Sequence, residues 1–297
     1  MTLINKTIML RNTLICLSAC AILSVAEAKG QTDSGSVSAT LGRLFDRLLV
    51  VSDDSVRIRI NDSIKVIVGN YARTDTAFNH RFDNVKFLGQ VTSPDSVIKL
   101  LTWNLNLRNS PGRYYLYIIR RSKDGHPDKV YEMTSEYKSA LISSDTVYYS
   151  ENWYGALYYG IMPQVINGVK CWILLGIDYG NPDITRKIIE TLYFDRNEKI
   201  IFGIKSFTAE ESVKYRALFE YSSEATMTLR FGGDDSVIFD HLVPFSPELE
   251  NQKRYYGPHY TNDAYFLEND RWVLKINVDA RNREKIKTNI PVEGDAR

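Results

Sequence analysis

The side chains able to do acid–base or metal chemistry are few. His80, His126, His241 and His259 are separated by 46, 115 and 18 residues, gaps that match no zinc-ligand spacing. The best local group is Asp240-His241 with His259 and Asp263, which become neighbours if the segment Pro244 to Asp263 folds back over the strand before it. In an alternating strand Asp240 and His241 point to opposite faces, so that group is read as structural, and neither a metal nor another cofactor is expected. Cys171 lies in the apolar run Val169-Lys170-Cys171-Trp172-Ile173-Leu174-Leu175 and is read as a buried, inert thiol. The chain has no Gly-x-Ser-x-Gly elbow, phosphate loop, dinucleotide-binding glycine motif, His-Glu-x-x-His or Cys-x-x-Cys. A hydrolase working with two carboxylates leaves no such motif, so Asp178, Asp240, Asp263 and Asp279 stand as acids for that alternative, with envelope glycan or peptide as the substrate.

Aromatic side chains carry the other signal. Trp153, Tyr154, Tyr158 and Tyr159 fall in one stretch, and Tyr255, Tyr256, His259, Tyr260 and Tyr265 in a second, beside Arg254. Exposed rings with polar tips bury much area on contact at low entropic cost, which suits sugars, peptides or partner proteins. Gly257-Pro258 places the second cluster on a loop. The candidate ligand-binding set is therefore Tyr255, Tyr256, His259, Tyr260 and Asp263, with Trp153, Tyr154 and His241. A non-catalytic binding or assembly module is the expected function.

These residues must be positioned by β-structure. Only Leu41, Leu44, Phe45, Leu48 and Leu49 recur at helical spacing, and Ser52-Asp53-Asp54-Ser55 ends that pattern. Thereafter short runs of Val, Ile, Tyr and Phe are broken by Gly, Asn, Asp or Pro. Hairpins are expected around Asn61-Asp62, Ser93 to Ser96, Asn167-Gly168, Arg196-Asn197, Gly232 to Asp235 and Glu268 to Asp270. About sixteen strands result, three of whose turns are spaced 36 residues apart. Sequential hairpins must hide their edges, so the spacing predicts one all-β antiparallel meander closed in a propeller-like way, in preference to a sandwich or barrel.

The domain plan is a signal peptide over 1–28, a flexible leader and short helix over 29–54, a single all-β domain over 55–280 and a polar tail over 281–297. Lys6 and Arg11 precede an uncharged run from Thr13 to Val25, and Ala26-Glu27-Ala28 offers a cleavage site, so export to the periplasm or beyond is expected. Leu17-Ser18-Ala19-Cys20 offers the alternative of a lipid anchor through Cys20. Cleavage after Ala28 removes Lys6, Arg11 and Glu27 and brings the formal net charge from +1 to zero. A neutral chain whose basic runs (Arg120, Arg121 and Lys123; Arg281 to Lys287) lack interleaved aromatics is not expected to bind nucleic acid. The apolar run is shorter than the ~20 residues of a membrane span, so no transmembrane segment is expected in the mature chain. An envelope protein or glycan remains as the partner.

Thr102-Trp103-Asn104, the block Asn152 to Tyr159, Phe239-Asp240-His241-Leu242-Val243-Pro244, Tyr255-Tyr256-Gly257-Pro258-His259 and Val278-Asp279-Ala280-Arg281-Asn282 together resemble a family of exported all-β proteins common in Bacteroidota. The resemblance covers roughly residues 80 to 282. It implies an envelope location in a diderm bacterium and brings no catalytic residues with it.

Overall fold

The computed structural model describes residues 34–122, 126–137, 142–209 and 212–279, so the stretches expected to be a signal peptide, the first part of the leader and a polar tail lie outside the described residues. Helix α1 (Ser34–Val50) begins inside the stretch expected to be a flexible leader. It buries Leu41, Phe45 and Leu48, and Val37 packs beside them, while Leu49 faces solvent. A second helix, α2 (Asp54–Ala72), replaces the hairpin expected around Asn61-Asp62. Three local interactions decide that outcome. The Asp53 carboxylate accepts the Val56 N–H at 2.8 Å and caps the helix. Ile60, Ile64, Val68 and Ala72, four residues apart, form one buried stripe. Arg57 reaches back to the carbonyls of Leu48 and Val51, satisfying acceptors at the end of α1.

Sixteen strands form three open sheets among the described residues, where one closed meander was expected. The first contains β1 (Gly89–Thr92), β2 (Ile98–Leu105), β3 (Arg113–Arg120) and β4 (Lys129–Glu136) in sequential order. The second joins β5 (Tyr148–Tyr149), β6 (Leu157–Ile166), β7 (Val169–Asp178), β8 (Ile184–Phe194) and β9 (Ile200–Phe202) in the order β5-β9-β8-β7-β6, with β12 (Arg216–Ser222) also on β8. The third comprises β10 (Phe207–Ala209), β11 (Ser212–Lys214), β13 (Leu229–Gly233), β14 (Ser236–Pro244), β15 (Tyr256–Glu268) and β16 (Arg271–Val278), ordered β11-β10-β16-β15-β14-β13. All ladders are antiparallel except a single parallel bridge, Phe207 to Trp272.

Alternation along the central strands stacks these parts into four layers. Leu101, Trp103 and Leu105 of β2, with Tyr115, Tyr117 and Ile119 of β3, face the two helices. Ile98, Leu100, Tyr114, Leu116 and Ile118 face the opposite way, onto Trp172, Leu174, Ile188 and Leu192 of the second sheet. The other face of that sheet, through Cys171, Ile173, Leu175 and Ile189, packs on Val237, Phe239, Tyr265 and Trp272 of the third. Strands such as Tyr114-Tyr115-Leu116-Tyr117-Ile118-Ile119 are apolar on both faces and must be covered twice, which a stack supplies. The edge strand β6 is joined to the third sheet by Tyr159, whose hydroxyl donates to the Leu229 carbonyl at 3.1 Å, and by Gln164, whose amide donates to the Asp234 carbonyl. No helix among the described residues is long and apolar enough to cross a membrane.

Helix and hairpin respond with opposite sign at the exposed residue Asp62. In a helix interior Asp62→Ala is expected to raise stability by up to about 0.5 kcal/mol, through a higher denaturant midpoint at unchanged slope. A lowered midpoint would point to a turn at Asn61-Asp62.

Candidate functional site

The site lies where the core-facing row of β14 and β15 ends. Val237 pairs with Tyr265 and Phe239 with Asp263, all buried on the face that meets the second sheet. Two residues beyond Phe239, His241 continues this row. There the ladder breaks: Asp240 pairs with Asn262 but Leu242 pairs with Pro258, so His259, Tyr260 and Thr261 bulge out opposite His241. The β15–β16 ladder also shifts between Asn262 and Ala264, where Asn277 adopts a left-handed φ of 58°.

One buried carboxylate holds both irregularities. Asp263 Oδ2 lies 2.6 Å from His241 Nδ1, and Asp263 Oδ1 accepts the Asn277 N–H at 3.1 Å. An ionised carboxylate only accepts, so Nδ1 of His241 carries the shared proton, and Nε2 is the acceptor nitrogen of the neutral ring. The Asp263 side chain is 9% exposed and that of His241 33%, which places the imidazole at the boundary of core and solvent. The His259 ring is 6.4 Å from that of His241 at 80°, and Tyr260, 5.5 Å beyond His259, is fully exposed. Phe245, also exposed, lies over Gly257, where a Cβ would come within 2.6 Å of its ring. On the opposite face of the sheet Asp240 accepts from the Thr228 N–H at 2.7 Å and from Asn262 Nδ2 at 3.1 Å.

The remaining candidates divide. Tyr256 is buried. Its hydroxyl accepts the Asn251 N–H at 3.1 Å, its ring lies 4.1 Å below the Lys253 ammonium, and with Leu218, Phe219 and Leu242 it lines a cleft of about 300 Å³. Tyr255 is half-buried under the Arg254 guanidinium, 4.8 Å away. Trp153 and Tyr154, expected at an exposed rim, are instead core residues. The single turn of 3-10 helix at Ser150–Asn152 and the left-handed Gly155 carry them into the space between the first and second sheets.

A polar network awaits them there. Glu190 Oε1 accepts the hydroxyls of Tyr154 and, at 2.7 Å, of Tyr158, while Trp153 Nε1 donates to the Tyr158 oxygen at 3.0 Å. Glu190 Oε2 accepts from Arg216 Nε at 3.2 Å. Burial, followed by the adjacent Glu190 charge, pushes the Tyr154 and Tyr158 hydroxyls well above the usual tyrosine value. A second buried set joins Asp178 to Arg186 at 2.9 Å and to the Tyr114 hydroxyl at 2.8 Å. Asp178, Asp240 and Asp263 thus belong to three separate hydrogen-bond sets. Glu190 and Arg216 escaped sequence reasoning, although a lone acid within Lys187-Ile188-Ile189-Glu190-Thr191-Leu192 marks a charge that must be paired if the strand is buried. Among the described residues no three His, Cys, Asp or Glu side chains converge to hold a metal. Cys171 is buried and its thiol is pushed up to about 12 by burial, in keeping with an inert core cysteine.

The raised tyrosines set an alkaline limit. A folded-state value above the unfolded value of about 10 gives stability that is whole below pH 10 and is lost as pH rises further. Tyrosinate absorbance from Tyr154 and Tyr158 is therefore expected to appear together with loss of circular dichroism above about pH 10. Titration of all 19 tyrosines near pH 10 with the fold intact would contradict their burial. Comparison of the chain with protein-family models, with curated proteins and with solved structures finds no match in any of the three.

Proposed function

We propose that this chain is an exported, non-catalytic binding or assembly module of the cell envelope, and that it makes contact through the bulged end of β14 and β15. The observation that carries this reading is the full exposure of Tyr260 on a bulge pinned from beneath by the buried Asp263 carboxylate. A ring held in water adds nothing to the core, and burying a carboxylate has a cost that must be offset by its hydrogen bonds. Such a combination makes physical sense if the ring meets something else. Phe245 is a second exposed ring, lying over Gly257 of the same strand, and Tyr256 at the start of that strand lines a cleft. The carboxylate-pair hydrolase is disfavoured because Asp178, Asp240 and Asp263 are each engaged by different partners.

Export rests on the charged start, apolar run and Ala26-Glu27-Ala28 of the N-terminus, with lipidation at Cys20 as the variant that would tether the same module to a membrane. The resemblance to exported Bacteroidota proteins supports the envelope as its setting, and an envelope protein or glycan is the proposed partner. Tyr260→Ala and Phe245→Ala are expected to leave the thermal midpoint nearly unchanged, since both rings are exposed. Each is expected to weaken retention on isolated envelope fractions at least about tenfold, the scale of an aromatic anchor. Retention equal to that of the unmodified chain in both variants would place the contact surface elsewhere.

A further inference from the structure

We infer that His241 and His259 form an open two-imidazole site for a first-row transition-metal ion of the kind that favours nitrogen ligands. The inference rests on the geometry of the bulge and stands whether or not the same surface binds an envelope partner. Three features combine. First, Asp263 fixes the His241 proton on Nδ1 at 2.6 Å, leaving Nε2 as the ligand atom of a half-exposed ring. A carboxylate behind an imidazole is the usual outer support of a metal-bound histidine, because it orients the ring and raises the basicity of the far nitrogen. This carboxylate is itself held by the Asn277 N–H, so the ring has little freedom to turn away.

Second, His259 faces His241 across the bulge with ring centroids 6.4 Å apart and planes 80° from parallel. Metal–nitrogen bonds of about 2.0–2.1 Å require centroid separations of roughly 5 Å for a tetrahedral angle and roughly 6.4 Å for a linear one. The observed gap equals the linear limit and the rings meet edge to face, so binding requires the exposed His259 side chain to rotate and turn its Nε2 toward that of His241. Its Nδ1 lies 3.4 Å from Thr261 Oγ1, which leaves Nε2 for the ion.

Third, no additional His, Cys, Asp or Glu joins the pair among the described residues to make three. A structural zinc site closes with four protein ligands, whereas this pair leaves two or more positions for water or for a donor atom on another molecule. His80 is spoken for differently, its Nδ1 lying 3.0 Å from the Tyr71 hydroxyl, and it supplies a control.

Copper(II) is the probe, since it binds imidazole most tightly among the divalent first-row ions. Titration of the untagged full chain, followed by calorimetry and electron paramagnetic resonance, is expected to show one strong equivalent with two nitrogen ligands. His259→Ala changes an exposed side chain and leaves the fold intact, and it is expected to weaken that equivalent by at least tenfold. Asp263→Asn is expected to weaken it by about 10–100-fold, the range for lost outer support. His80→Ala is expected to bind as the unmodified chain does. Unchanged copper affinity in His259→Ala, or a spectrum with a single nitrogen ligand in the unmodified chain, would overturn the assignment.

Discussion

The ion pair between Glu190 and Arg216 sits in the layer that has no access to water on either side. Both side chains are fully buried, and their residues stand directly opposite each other in the β8–β12 ladder. Isolated charges in such a place are too costly to keep, so every polar atom must find a partner. Arg216 distributes its donors over Glu190, over the Ser143 and Thr146 carbonyls at 2.5 and 2.6 Å, and over the Phe202 carbonyl at 3.1 Å. It thereby ties β12, β8, β9 and the segment before β5 to one point. Glu190 takes the Tyr154 and Tyr158 hydroxyls, which explains why the block from Trp153 to Tyr159 is so aromatic. Its rings fill the interlayer space and its polar tips neutralise a buried acid. A pair of this kind adds little over a hydrophobic replacement, whereas loss of one partner alone leaves the other charge buried and uncompensated.

The same device recurs on a smaller scale at the bulge. Asp263 is buried at the end of the row Val237, Phe239 and His241, and it serves one imidazole and one backbone N–H where two ladders lose register. The outcome differs because of depth. In the second sheet a charged network is enclosed by layers on both faces, so its consequences are structural. At the end of β14 and β15 the layers stop, and the rigid support projects His259 and Tyr260 into solvent. A stack of sheets offers few such places, since its central strands are covered twice and only strand ends and outer faces remain free for contact.

Much of this was legible where the decisive physics is local. Asn167-Gly168 and Asn269-Asp270 take left-handed φ values of 50°, 73°, 49° and 64°, the turn chemistry that marks two-residue hairpins, and both hairpins form as expected. The loop expected at Gly257-Pro258 is instead part of strand β15, where Gly257 and Pro258 pair with Val243 and Leu242, and only His259 to Thr261 bulge from the ladder. Helix α2 was misread because Ile58 with Ile60 and Val66 with Val68 satisfy a period of two as well as four. The Asp53 cap on the Val56 N–H and the reach of Arg57 back to the end of α1 decide between them. Layer order was hidden for a different reason: the partner of each apolar face is set by long-range packing, and the 36-residue spacing of turns says nothing about it. Trp153 and Tyr154 were placed at a rim because aromatic runs look alike in core and surface. The clue to their burial was Glu190, more than thirty residues away in sequence.

A double-mutant cycle on Glu190 and Arg216 tests most directly whether this pair organises the buried layer. Glu190→Gln and Arg216→Met should each cost about 3–5 kcal/mol in denaturant unfolding, because each strands a buried charge. The double variant should cost clearly less than the two together, since no uncompensated charge is left. Single losses below about 1 kcal/mol, or costs that simply add, would show that the pair is solvated and that the layers are organised by something else.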